Sequence, residues 1–147
     1  MLVDNTGLGK SFFYAMLPNE SGLSYKTAIS SMKEMCPGTS ACQTIFVDRS
    51  LTQYNAFRES YPSAAVIFCR FHVLKDMKKR CHQLVRLPVA DKQRLFQWMR
   101  NMLYANAEES FSQILRAIEV RRAEAFGYLE RAWLPYKENW AGYVVNV

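Results

Sequence analysis

The sequence predicts an α/β fold: a hairpin, helix, strand, helix and strand, followed by a helical region. Three observations carry this expectation. Short apolar or β-branched runs lie in the first half, bounded by Gly, Pro, Asp and Ser. Stretches with apolar residues at helical spacing separate them. Beyond about residue 73 only the helical period remains.

The elements follow in chain order. Residues 1–5 and 11–17 (SFFYAML) are apolar and aromatic, and the turn between them holds Gly7 and Gly9, which reads as a hairpin stopped by Pro18. From Ser21, Tyr25, Ala28 or Ile29, Met32 and Met35 recur at helical spacing until Pro37-Gly38. QTIFVD, 43–48, is a short strand. Ser50-x-x-Gln53 then fits a capping box ahead of Leu51, Tyr54, Phe57 and Tyr61, and Pro62 closes that helix. AAVIFC, 64–69, is an uninterrupted apolar run, the mark of a buried strand. Strand, helix, strand implies a parallel pair joined by a right-handed crossover. Asp48 is then at the carboxyl end of one strand and His72 just past that of its neighbour, the edge where α/β sheets tend to bind ligands.

The remainder reads as helices. Leu74, Met77, Cys81 and Leu84 form one stripe of a helix spanning 73–86, with Lys75, Lys78, Lys79, His82 and Arg86 largely on the other side. Asp91 or a neighbour caps a second helix carrying Leu95, Trp98, Met99 and Met102. Asn106-x-x-Glu109 opens a third, with Phe111, Ile114, Leu115 and Ile118 inward. AEAFGYLERAW continues helically to Pro135, and nothing in the pattern places Trp140.

A length of 147 residues with 50% hydrophobic content fits one domain with a full core. No run approaches the ~18 apolar residues of a membrane span, and the start carries no basic region followed by an apolar stretch. An intracellular location with reduced cysteines at Cys36, Cys42, Cys69 and Cys81 is expected. There the acceptor pattern Asn19-Glu20-Ser21 has no meaning. The charge of +6 is uneven: residues 70–100 hold nine Lys/Arg against two Asp/Glu, while the flanking segments are balanced or slightly acidic. Such asymmetry points to a surface facing a polyanion, duplex DNA being the expected partner.

Two motifs resolve to plain readings. GLGKS at 7–11 lacks the Gly that a phosphate loop needs five positions before Gly9, where Asp4 stands, so a hairpin turn is expected. Cys69, His72, Cys81 and His82 suggest zinc, but Cys-x2-His has no second pair converging on it. On a helix, Cys81 and His82 point about 100° apart. Asp48 alone reads as a cap or turn residue, or as a metal ligand if other acids join it.

The combined pattern IFVDRSLTQYNAFRESYPSAAVIFCRFHVLKDMKKR resembles the middle of the ribonuclease-H-like catalytic domain of Mutator-type (MULE) transposases. It is more similar still to the transposase-derived domain of animal SWIM-type zinc-finger proteins. The upstream DNTGLGKSFFYAMLPNES is similar to that family's hairpin, and the resemblance covers about residues 1–85. It implies that Asp48 matches the second of three acids holding two Mg²⁺ or Mn²⁺ ions, and that Cys69 and His72 match a Cys/His signature beside the metals. It also implies a first strand and acid ahead of residue 1, between the hairpin and the Asp48 strand, and a third acid beyond Val147. Glu108 and Glu109 suit a helix first turn better than that role, and the SWIM zinc motif itself is absent.

The expected product is therefore a non-catalytic fragment of a transposase-derived domain. Residues 1–86 would be a partial ribonuclease-H-like core lacking its first strand, and 87–147 a helical extension of the same domain. It would be nuclear, with non-specific DNA affinity through Lys75, Lys78, Lys79 and Arg86 and no cofactor of its own. A portion of an active metal-dependent transposase, and a protein-interaction scaffold, are the alternative readings.

Overall fold

The computed structural model describes residues 2–3, 9–84 and 86–145, with the backbone alone at 2–3 and 9–10. The chain is α/β, as the strand and helix periods require, and divides into two compact units, Met1–Val66 and Ile67–Val147.

The first unit opens with an antiparallel pair, β1 (Leu2–Val3) and β2 (Gly9–Lys10), in the register Leu2 opposite Lys10 and Val3 opposite Gly9. The turn residues 4–8, Gly7 among them, lie outside the described residues. The hairpin is real but shorter than expected: residues 11–17 form no strand. The observed ladder holds only the pairs Leu2–Lys10 and Val3–Gly9, and an apolar run without a ladder partner does not make a strand.

Helix α1 (Gly22–Met35) starts where expected. The Ser21 hydroxyl accepts from the Ser24 N–H at 3.2 Å, and Asn19 Oδ1 accepts from the Ser21 N–H at 3.0 Å and the Ser24 hydroxyl at 2.8 Å. Asn19 thus supports a helix cap. A 3₁₀ turn, Pro37–Ala41, follows, then β3 (Thr44–Val47). Helix α2 (Leu51–Ser60) is capped by Ser50, whose hydroxyl accepts from the Gln53 N–H at 3.3 Å. Strand β4 (Ala65–Phe68) pairs with β3 in a small parallel sheet, and the Ala65 N–H donates to the Gln43 carbonyl at 2.8 Å.

Ile29, Ala56 and Tyr61 form the buried centre between α1 and α2, packed by Tyr25, Met32, Cys42, Ile45, Phe57 and Ala64. Around it, Lys26 pairs with Glu59, and Lys33 donates to the Ser60 carbonyl while its ammonium lies 4.0 Å from the centre of the Tyr61 ring.

The second unit is a succession of helices, each packed on the next: α3 (Arg70–Gln83), α4 (Val89–Leu103), α5 (Glu108–Arg121) and α6 (Ala123–Ala132). Three boundaries differ from expectation. Helix α3 begins at Arg70 and ends at Gln83, so Arg86 lies beyond it. The chain leaves the helix ahead of Pro88, which disfavours helical backbone at the residue before it. Pro88 is the residue that precedes α4, and Asp91 lies in its first turn. Ala107 precedes α5, one residue later than Asn106.

After α6 a 3₁₀ segment, Leu134–Asn139, carries the chain past Pro135 to Trp140. Trp140 is fully buried. Its ring lies 5.8 Å from that of Trp133 and 5.8 Å from that of Phe111, and its indole N–H donates to the Trp133 carbonyl at 2.9 Å. Phe68 at the end of β4 meets Trp133 edge-on at 6.5 Å, while the Trp133 indole N–H is satisfied by the Tyr128 hydroxyl at 2.8 Å. Large buried rings with both indole N–H groups paired give this unit a specific core.

Candidate nucleic-acid interface

The Cys-x-x-His stretch belongs to a helix start. Strand β4 ends at Phe68, half-buried Cys69 precedes α3, and His72 lies in its first turn. The Val73 N–H closes the first turn on the Cys69 carbonyl at 3.0 Å. No acidic residue occupies that turn, so nothing there offsets the positive end of the helix dipole.

Along α3 the sides separate cleanly. Val73, Met77 and Cys81 are buried. At about 100° per residue, Phe71, Lys75, Lys78, Lys79 and His82 fall on the opposite side within an arc of roughly 100°, and all five are exposed. Lys75, Lys78 and Lys79 make no ion pair among the described residues, nor does exposed Arg86 in the turn that follows. Their neighbours of like charge are committed elsewhere. Arg80 pairs with Glu124 at 3.3 Å and lies 5.5 Å from the Tyr128 ring centre. Arg70 donates to the Val145 carbonyl at 2.9 Å and lies 5.6 Å from the Tyr104 ring centre. Arg70 and Arg80 are thus engaged within the fold, whereas the outward lysines of α3 and Arg86 stay exposed, as do Arg94 and Arg100 on α4.

Cys81 and His82 diverge as adjacent helix residues must. The Cys81 thiol is buried 3.7 Å from the Met99 sulfur, and burial pushes its pKa up to about 11, while His82 is exposed. All four cysteines are free thiols.

Asp48 belongs to the first unit and Cys69 and His72 to the second. Asp48 is the exposed residue after β3. Its carbonyl accepts from the Ser50 N–H at 2.7 Å, so it shapes the turn into α2 while Ser50 does the capping. Glu108 and Glu109 occupy the first turn of α5, Glu108 at 4.0 Å from Lys137. A two-metal centre needs several converging carboxylates. Among the described residues no three His, Cys, Asp or Glu side chains are grouped to hold an ion, so these residues do not fit that centre by themselves. Nor is any helix among them long and apolar enough to cross a membrane.

Residues 1–67 match the RNaseH-like domain of zinc finger SWIM domain-containing protein 1/3. The matched span includes β1 to β3, both flanking helices and Asp48, and it covers less than half of the 147 residues. The observed order of hairpin, helix, strand, helix and strand, followed by helices, agrees with a partial ribonuclease-H-like fold and a helical region. Cys69, His72 and the basic side of α3 lie beyond the match. No curated protein and no solved structure matches the chain.

Proposed function

We propose that this chain is a non-catalytic, transposase-derived ribonuclease-H-like segment of MULE ancestry that acts in the nucleus by binding DNA without regard to sequence. In this reading residues 1–86 are the partial core and 87–147 its helical extension. Asp48 is a vestige of a Mg²⁺ or Mn²⁺ site that would need a further acid upstream, and Cys69 and His72 are remains of the signature beside it. The family match over residues 1–67 supports the ribonuclease-H-like part of this reading. The observation that carries the binding role is the set of exposed, unpaired Lys75, Lys78 and Lys79 on the side of α3 away from its buried stripe.

Lysines facing phosphates release counterions, so affinity should fall steeply with salt. Three contacts give a slope of about −2.7 in log K against log salt on duplex DNA. Replacing Lys75, Lys78 and Lys79 with Gln should remove most of that slope. An unchanged binding curve would show that these lysines are only solvated. The same DNA, incubated with Mg²⁺ or Mn²⁺, should stay intact; cleavage lost in Asp48→Asn would overturn the non-catalytic half of the reading.

A further inference from the structure

The lysines of α3 share their side with an aromatic ring. Phe71 keeps 67% of its surface exposed, on the side of α3 away from its buried stripe. It stands four residues before Lys75 and seven before Lys78, the spacing that puts side chains on one helix side. Its ring meets the His72 imidazole at 88° with centroids 5.2 Å apart, a contact that restricts the ring while leaving most of it open. From Phe71 to His82 this side runs about 16 Å along the axis.

We propose that this face takes single-stranded nucleic acid in preference to duplex, with Phe71 stacking on an unpaired base while Lys75, Lys78 and Lys79 follow the phosphates. The proposal rests on the nucleic-acid reading above and narrows it. Charge complementarity names a polyanion as the occupant, and the ring decides which kind. In a duplex the bases are stacked on one another, so a phenyl ring can reach only thymine methyl groups at the groove edge unless it pays to unstack a base step. An unpaired strand offers base faces, and stacking on an aromatic ring beside a basic track is how sequence-tolerant single-strand binding is built. A protein partner would more naturally cover Phe71 with apolar surface, and the clustered lysines beside it make an apolar interface costly.

The test uses the full chain with a labelled oligo-dT strand, an abasic strand of equal length and a duplex of equal length, each at several salt concentrations. Oligo-dT should bind more tightly than the duplex. Phe71→Ala should weaken oligo-dT binding about five- to tenfold, leave the abasic strand and the duplex within twofold, and leave the salt slope unchanged. Phe71→Trp should restore oligo-dT binding, which a merely misfolded Phe71→Ala could not explain. Duplex binding that equals oligo-dT binding, with Phe71→Ala having no effect, would overturn the stacking role while the salt-dependent DNA reading stands. If none of the three nucleic acids binds, both fall together. Loss of a captured protein rather than of oligo-dT in Phe71→Ala would assign the face to a protein instead.

Discussion

Two neighbouring residues of α3 show how burial divides chemistry at the scale of one side chain. Cys81 lies in the core against Met99 and His82 in solvent, and the sequence carried this separation because adjacent helix positions cannot share a side. The Cys81 thiol is raised from 9.0 to about 11 by burial. Between those values the unfolded chain releases a proton that the folded chain keeps. Stability should therefore be insensitive to this group below pH 9 and decline from pH 9 to 11, by up to about 1.4 kcal/mol per pH unit. Urea unfolding at pH 8, 9.5 and 10.5 should show a steeper decline for the natural chain than for Cys81→Ala, whose lower starting stability should vary less. Parallel declines would mean that the thiol is hydrated in the folded state. Other single-residue roles were less legible. Nothing in a run of nine basic residues marks Arg70 and Arg80 as inward-facing, because their partners Val145 and Glu124 are far along the chain. Phe71 could have been found from its spacing to Lys75 and Lys78.

At the scale of elements, helix interiors were legible and helix ends less so. The apolar period persists through each helix, but a cap is a single residue, and Pro88 and Ala107 lack the side chains that announce one. The chain after α6 was the least legible, because no period runs through residues 134–145. What holds that segment is tertiary. The Gly142 N–H donates to the Leu103 carbonyl at 2.9 Å, tying the chain end to the end of α4. A Cβ at this position would stand 2.6 Å from the Leu103 carbonyl oxygen and 2.9 Å from that of Ala105, both backbone atoms that cannot step aside as a side-chain tip could. Gly142→Ala should therefore cost about 1–3 kcal/mol, the range for forcing atoms into a packed site, and should loosen Trp140 with it. Urea unfolding followed by tryptophan fluorescence reads both effects. A change below about 0.5 kcal/mol would show that the segment can shift away without loss.

At the scale of the whole molecule, the order of elements was legible because alternating strand and helix periods survive in a single sequence, whereas the extent of strand pairing depends on partners that the pattern does not show. Among the described residues the hairpin and the β3–β4 pair are two separate sheets, so one edge of β3 has no ladder partner. Phe46 on β3 is 58% exposed, and Tyr14 and Met16, in the apolar run that makes no strand, are 84% and 100% exposed. Unpaired N–H and C=O groups beside exposed apolar side chains recruit other strands. In the proposed partial core, a further strand between the hairpin and β3 would pair with β3 and shelter both features. The 147-residue chain should accordingly self-associate in sedimentation or light scattering. Phe46→Lys, which places a charge at the β3 edge, should reduce that association, and an added upstream segment able to supply one strand should reduce it further and sharpen the thermal transition. A chain that is monomeric, melts cooperatively and gains nothing from either change would mean that β3 tolerates water at its edge, and the implied central strand would then have no structural role to fill.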